Sequence, residues 1–204
     1  MCRSVGVLGG AFNPPHVGHL VLAQEAFWAL GLDELILVPT GEAPHKRIVP
    51  EPGAGQRLEM THAAVASFEG VSASDVEAGR EGPSYAYRTL ELLADELPGS
   101  DLTFVMGADA AAGLESWRRP ERVLELARLA VAARPGVDPQ VVDGVFERLG
   151  AQDRVDALEM PAIGVSSTMV RERVVVGKPV RWLVPLAVAE LIAERGLYRD
   201  GVVA

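Results

Sequence analysis

The chain has 204 residues, 49% of them hydrophobic and 23% charged, which is enough for one α/β domain with a sizeable core. Its 19 Lys and Arg against 28 Asp and Glu give a formal charge of −9, which argues against nonspecific nucleic-acid binding. The single cysteine, Cys2, excludes an internal disulfide. Without a leader or a long apolar stretch, the sequence predicts a cytoplasmic protein with no membrane partner, and it leaves open whether the chain forms a homo-oligomer.

Short apolar runs alternate with helical spacing in the N-terminal half. The pattern predicts strands at 5–8, 35–38 and 71–76, and helices over 20–30 and 56–68. Residues 40–55 are too rich in Pro and Gly for regular structure, so we expect a mobile loop there and a second flexible segment at 77–83.

The same alternation continues to the C-terminus. It predicts helices over 85–97, 120–126 and 139–149, strands at 102–106, 129–133 and 157–160, and a mostly helical part over 160–204. Strands separated by helices need crossover connections, which make a parallel sheet. We therefore expect an α/β fold with a doubly wound, Rossmann-like parallel sheet, helices on both faces, and a single domain over 1–204.

The segment 9–19, which follows the first strand, carries the clearest chemistry. Gly9 and Gly10 allow a ligand to approach the backbone, and His16 and His19 would lie about 60° apart in the first helical turn, where N–H groups attract phosphate. Imidazoles facing a polyphosphate would stabilise the charge on a leaving pyrophosphate, so the segment predicts nucleotidyl transfer.

Three other interpretations of this segment were weighed. Histidines at i and i+3 can ligate zinc, although the chain has only His45 and His62 besides. A simple helix cap would account for His16 but not for the pair. An NAD-dependent oxidoreductase is disfavoured because the third glycine of the dinucleotide motif is absent.

The segment Gly9–His19 resembles the signature Gly-Gly-(Thr/Ser)-Phe-(Asp/Asn)-Pro-x-His-x-Gly-His of the nucleotidylyltransferase superfamily. The order of later motifs is similar to that of bacterial nicotinate-nucleotide adenylyltransferases. The resemblance implies transfer of AMP from ATP to nicotinate mononucleotide, giving nicotinate adenine dinucleotide and pyrophosphate in NAD biosynthesis. It also implies that Mg²⁺ accompanies ATP, without a metal site on the protein, and that ATP is bound by Gly9, Gly10, Ala11, Phe12, His16 and His19.

A second motif, residues 165–171, is similar to the family's Ile-Ser-Ser-Thr-x-Ile-Arg. From the residues alone, Ser167 or Thr168 is the expected N-cap of a helix, with Arg171 one turn further on. The resemblance implies that these residues and Ser166 hold adenosine and the ATP phosphates, opposite the first motif.

A third motif, Pro44-His45-Lys46, lies in the expected mobile loop and matches a Pro-His-Lys element of the family. The resemblance implies that Lys46 closes over the phosphates. The expected catalytic residues are therefore His16, His19, Lys46 and Arg171.

The remaining matches point to the sugar and the acceptor. Gly107 and Asp109 follow a buried strand, where a carboxylate can accept from ribose hydroxyls or act as an N-cap. The resemblance implies that the mononucleotide is contacted by Asn13, Lys46, Ala86, Trp117 and Arg134, with Trp117 stacking on the pyridine ring.

The chain departs from the family pattern in the segment that is expected to bind the acceptor. Ala86 and Arg88 stand where the pattern Ser-Tyr-Thr-x-Asp-Thr-Leu has threonine and aspartate, and Ala11 replaces a hydroxyl residue. A backbone N–H at Ala86 would keep a contact to the nicotinate carboxylate. Nicotinamide mononucleotide, another phosphorylated acceptor and a non-catalytic nucleotide sensor stay open as alternatives.

Overall fold

Strands and helices alternate along the residues described by the computed structural model, 2–43, 52–134 and 136–199. The strands are β1 (Ser4–Gly10), β2 (Glu34–Pro39), β3 (Val71–Ala73), β4 (Asp101–Gly107), β5 (Arg128–Ala132) and β6 (Val155–Leu158). The helices are α1 (Val17–Ala29), α2 (Ala54–Val65), α3 (Ala86–Glu96), α4 (Ala108–Ala112), α5 (Pro120–Leu126), α6 (Pro139–Arg148), α7 (Ser167–Val175) and α8 (Leu186–Glu194).

The six strands form one sheet in the order β3-β2-β1-β4-β5-β6. β1 pairs with β4, β4 with β5, and β5 with β6, each in parallel. This order reverses direction between β1 and β4, which is the hallmark of a doubly wound α/β fold, so the predicted fold class is confirmed. Ligands of such sheets bind beyond the carboxyl ends of the strands at the reversal, which here are the ends of β1 and β4.

The central strands are buried almost without interruption, as is typical of a parallel sheet covered on both faces. The buried runs are Val5–Leu8 in β1, Leu102–Met106 in β4 and Leu129–Ala132 in β5. Gly6 allows close packing here, because a Cβ at this position would lie 2.5 Å from Cδ1 of Leu32.

The described chain divides into two compact units. The first comprises the N-terminus to Gly9, Leu22–Ile36 and Tyr85–Ala162. The second comprises Gly10–Val21, Leu37–Ser84 and the chain from Ile163 onward, including α7 and α8. The single predicted domain over 1–204, with a mostly helical part over 160–204, stays a prediction.

Several elements differ from the sequence-based expectation. The strand expected at 71–76 covers only Val71–Ala73, and the short helix α4 was not predicted. The segment 77–83 was expected to be flexible, but Glu77 is 1% exposed and accepts a 2.8 Å hydrogen bond from Arg80 and another from Ser84. A buried carboxylate must be paired, so these bonds fix the segment. No helix in the described ranges is long and apolar enough to cross a membrane.

Candidate active site

The two histidines of the signature segment cap the N-terminus of α1. The backbone N–H of His16 donates to Nδ1 of His19 (3.2 Å), and the N–H of Gly18 donates to Nδ1 of His16 (3.2 Å). The first bond is the half of a capping box in which the third helical residue accepts from the N-cap N–H, and in the second bond the N-cap side chain accepts from the second helical residue. The expectation that a cap would account for His16 alone was therefore wrong, because both side chains take part.

The cap also determines where each ring carries its proton. Nδ1 accepts a hydrogen bond in both rings, so the proton of each neutral imidazole resides on Nε2. The rings stack with centroids 3.8 Å apart, and His16 is buried while His19 is half-buried. The pair presents two neighbouring N–H donors, a chemistry suited to phosphate oxygens.

The turn before α1 is tightly packed. Phe12 is buried in a left-handed conformation (φ 45°), and its ring meets His19 edge-on at 4.9 Å. A Cβ at Gly10 would lie 3.1 Å from the Phe12 ring, and one at Gly18 would lie 3.1 Å from the His16 ring. A side chain at either position would have to displace the neighbouring ring, so glycine favours this packing. Ala11 is exposed, whereas the burial of Phe12 limits its contact with a ligand.

The C-terminal part of the chain binds the segment Asn13–Pro14. Arg171 donates to the carbonyl of Asn13 (2.8 Å), Ser167 donates to the carbonyl of Pro14 (2.8 Å), and the Tyr198 hydroxyl donates to Oδ1 of Asn13 (2.7 Å). Asn13 is only 2% exposed. In this structure the buried side chain holds the turn, and its contact with substrate stays a prediction.

The second motif forms the N-terminus of α7. The N-cap is Ser166, whose hydroxyl accepts from the N–H of Met169 (3.2 Å), and not Ser167 or Thr168 as expected. Ser167 is instead bonded to Pro14, and the Thr168 hydroxyl accepts from Arg171 (3.1 Å). A guanidinium has five N–H donors, so the two bonds of Arg171 leave it capacity for an anion. The structure thus brings the first and second motifs into direct contact.

The first unit carries another group of predicted residues. Asp109 and Arg134 pair with each other at 2.9 Å, and both side chains are 55% exposed. Asp109 lies inside the first turn of α4, whose N-cap is Gly107, so the alternative of an Asp109 N-cap was wrong. A Cβ at Gly107 would lie 2.8 Å from the Asp109 carboxylate, which explains the glycine.

Trp117 is half-buried and packs against the core. Its ring meets Phe104 of β4 edge-on at 6.0 Å. Phe104 in turn occupies the space beside Gly9, where a Cβ would lie 3.3 Å from the phenyl ring. Gly9 therefore makes room for the aromatic pair.

The departures from the family pattern in the expected acceptor segment lie on α3. Ala86 is the first residue of the helix, where backbone N–H groups have no acceptor within the helix. Arg88 pairs with Glu91 (3.2 Å), which also accepts from Arg122 of α5 (3.0 Å). The hydrogen bond from Arg122 holds the pKa of the Glu91 carboxyl below its ordinary value, against the smaller effect of desolvation, and Arg88 adds to the lowering. The replacement of an acid by Arg88 is thus accommodated by an ion-pair network.

Aromatic and cationic side chains lie side by side next to this helix. Arg118 lies over the ring of Tyr85 at 5.4 Å, and Arg119 lies over the ring of Tyr87 at 5.3 Å. These contacts give the start of α3 a positively charged border within the first unit.

Two residues that contact the signature turn were missed from the sequence, namely Arg57 and Tyr198. Arg57 shares the buried face of α2 with Met60, Thr61 and Ala64, so a charged residue at helical spacing was the available signal. Tyr198 offered no such signal, because its partner is 185 positions away in the chain. Lys46, with Pro44 and His45, lies outside the described residues.

The donors around the turn are imidazole and backbone N–H groups, which bind phosphate oxygens, whereas Mg²⁺ prefers oxygen ligands. Within the described parts of the chain, no three His, Cys, Asp or Glu side chains are grouped so as to hold a metal ion. A Mg²⁺ coordinated by phosphate oxygens and water fits these residues, since it needs no protein cage.

Comparison with known proteins gives the family. The model of the cytidylyltransferase-like family matches residues 7–173. A nicotinate-nucleotide adenylyltransferase of Rubrobacter xylanophilus is 40% identical over 197 residues, which cover 96% of this chain and 92% of that protein. One of Tropheryma whipplei is 42% identical over 193 residues, covering 95% and 98%.

A solved structure shows the same fold. The Plasmodium falciparum nicotinic acid mononucleotide adenylyltransferase complexed with NaAD superimposes with a TM-score of 0.78 at 15% identity, covering 98% of this chain and 99% of that one. The classification comes from the family model and the near full-length relatives. The chain belongs to the cytidylyltransferase-like family and, within it, to the nicotinate-nucleotide adenylyltransferases.

Proposed function

We propose that the chain transfers AMP from ATP to nicotinate mononucleotide, forming nicotinate adenine dinucleotide and pyrophosphate in NAD biosynthesis. The observation that carries this proposal is that His16 and His19, which cap the start of α1, stack with ring centroids 3.8 Å apart beside a glycine turn. The named activity of the relatives supports the choice of substrates.

The reaction needs no covalent intermediate and no general base. An oxygen of the mononucleotide 5′-phosphate attacks the α-phosphorus of ATP, a new P–O bond forms, and the bond to the bridging oxygen of pyrophosphate breaks. The attacking phosphate is already ionised, so catalysis consists of positioning and of stabilising charge on the leaving group. His16 and His19 donate to the phosphate oxygens, and Arg171 and Lys46 add positive charge.

The ATP contacts follow from the two motifs. The Gly9–Phe12 backbone lies against the phosphates, and Ser166, Thr168 and the first turn of α7 hold the nucleotide, with Ser167 fixing the turn through Pro14. Gly107 and Asp109 serve the ribose. Mg²⁺ arrives with ATP and, when bound, neutralises phosphate charge.

The acceptor contacts come from the first unit. Trp117, supported by Phe104, offers a flat surface for the pyridine ring, and the N–H of Ala86 at the start of α3 offers a donor to a carboxylate. Arg134, exposed and paired with Asp109, faces an anionic mononucleotide. This set favours nicotinate over nicotinamide, because an amide carries no negative charge. We place the reaction in the cytoplasm.

Pyrophosphate release tests the proposal. The purified chain is mixed with Mg²⁺ and ATP alone, with ATP and nicotinate mononucleotide, or with ATP and nicotinamide mononucleotide. We expect rapid release with the nicotinate substrate, slower release with the nicotinamide one, and none with ATP alone. Faster turnover of nicotinamide mononucleotide would overturn the assignment of nicotinate mononucleotide as the acceptor. Binding of ATP without any release of pyrophosphate would indicate a nucleotide sensor.

A further inference from the structure

Arg57 is an arginine in the interior of the second unit, 0% exposed on the buried face of α2. One terminal nitrogen of its guanidinium donates to the carbonyl of Ala11 (2.9 Å), and the other donates to the carbonyl of Gly41 (3.0 Å). A guanidinium is costly to bury unless its donors are paired, and its planar shape fixes the direction of each bond. Arg57 therefore joins two backbone segments with a defined geometry.

The first of these segments is the signature turn. The Ala11 carbonyl belongs to the peptide unit that carries the N–H of Phe12, the residue in the left-handed conformation. A bulky residue in that conformation is strained, and the surrounding contacts must hold it there. Since the Phe12 ring meets His19 edge-on, a shift of this peptide would also disturb the imidazole.

The second segment follows β2. The N–H of Thr40 donates to the carbonyl of Gly10 (2.8 Å), so residues 40–41 lie against the same turn. The N–H of Gly41 donates to the Ser84 hydroxyl (3.0 Å), which in turn donates to the buried carboxylate of Glu77. A Cβ at Gly41 would lie 2.4 Å from the Glu77 carbonyl oxygen, so this packing requires glycine.

We propose that Arg57 is a positioning residue for adenylyl transfer. It holds the Ala11–Phe12 peptide, and with it His19, in the arrangement that the reacting phosphates need. Through Gly41 it also fixes Ser84, which precedes the acceptor segment 85–88 in the chain. This inference rests on the proposed function, since it assumes that the signature turn binds ATP. A displacement of about 1 Å at a reacting group costs roughly 100-fold in rate.

Arg57→Gln and Arg57→Lys test the proposal, with Met60→Ala as the matched control. Met60 lies on the same buried face and is 1% exposed, so its truncation destabilises α2 without removing a polar bond to the turn. Each variant is measured for thermal unfolding and for kcat and KM by pyrophosphate release, well below the lowest melting temperature.

We expect Arg57→Gln to lower kcat about 10- to 100-fold, with a smaller change in the KM for ATP. Arg57→Lys should lose less, because an ammonium group can still reach one carbonyl. Met60→Ala should keep kcat within about threefold of the wild type, although it melts earlier.

Either of two results would overturn the proposal. One is a folded Arg57→Gln or Arg57→Lys protein with wild-type kcat, and if the glutamine variant does not fold, the lysine variant decides. The other is an equal loss of kcat in Met60→Ala, which would reduce Arg57 to a structural role. An inactive wild-type protein would instead contradict the proposed function, and it is recognised before any variant is compared.

Discussion

At the scale of single residues, the histidine pair shows how one arrangement serves structure and chemistry together. In the bonds that cap α1, Nδ1 of both rings accepts, so each ring in its neutral form carries its proton on Nε2. Since Nε2–H is present in the neutral ring, donation to phosphate does not require a charged imidazole. The stacking of the rings at 3.8 Å also disfavours placing a charge on both.

His19→Ala removes one of these donors. We expect kcat to fall by about 10²–10³, the usual cost of losing a preorganised donor to developing charge. The lost cap should reduce the free energy of unfolding by only about 1 kcal/mol, so the protein stays folded. Pyrophosphate release and circular dichroism check the two effects, and His62→Ala, at an exposed position on α2, is the control. Near wild-type kcat in His19→Ala would contradict the role of the pair.

Tyr198 tests how the turn is held from the C-terminal side. Its side chain is buried, and its backbone has φ 64°, a conformation that costs a tyrosine free energy unless contacts offset it. Tyr198→Phe removes only the hydroxyl that donates to Asn13. We expect the free energy of unfolding, measured with urea, to fall by about 1–2 kcal/mol. Tyr87→Phe, on the surface of α3, should leave it unchanged, and equal losses in both variants would refute the interpretation.

At the scale of elements, helix ends and ion pairs account for much of the site. α1 and α7 both begin with side-chain caps, and Ser167 and Arg171 of α7 donate to the backbone of Asn13–Pro14, the segment that precedes α1. In the first unit, Glu91 on α3 and Arg122 on α5 join the two helices. The helices that carry the predicted residues are thus fixed by polar contacts near their ends.

The ion pair of Glu91 gives a pH dependence of stability. The pKa of Glu91 is lowered in the folded protein, chiefly by the bond from Arg122, so its contribution is complete above the ordinary glutamate value of about 4.3. The contribution is lost as the pH falls through the lower folded value. The melting temperature of Glu91→Gln should therefore lie below that of the wild type at neutral pH and approach it in acid.

Glu69→Gln, at an exposed position, is the control for this comparison. We expect its melting temperature to follow that of the wild type throughout the pH range. A difference between Glu91→Gln and the wild type that is as large in acid as at neutral pH would show that charge is not the cause.

At the scale of the whole molecule, the alternation of strands and helices was predictable and the site only in part. Strands covered on both faces leave continuous apolar runs in the sequence, so the positions of the six strands, with β3 shorter than expected, and the helix pattern followed from local composition. His16 and His19 stood out because two imidazoles after a glycine turn are unusual. The burial of Asn13 and the roles of Arg57 and Tyr198 depend on partners 46 and 185 positions away, which local patterns do not encode.

The chain has a formal charge of −9, so the groups that donate to phosphate must be concentrated locally at the site. The expected phosphate donors on the described chain are imidazoles, backbone N–H groups at helix starts and the guanidinium of Arg171. Such preorganised donors bind a polyanion through directed hydrogen bonds, without a basic surface. Binding of the polyphosphate therefore depends on the geometry of the donors at the turn, and not on the overall charge.

Tracing the α-phosphate of ATP shows whether AMP is transferred to nicotinate mononucleotide. ATP labelled in its α-phosphate is mixed with Mg²⁺, nicotinate mononucleotide and the wild-type protein, and the products are separated. We expect the label to appear in nicotinate adenine dinucleotide in a one-to-one ratio with released pyrophosphate, and His19→Ala to slow both together. Label recovered as free AMP, or retained in ATP, would contradict the transfer of AMP to the mononucleotide.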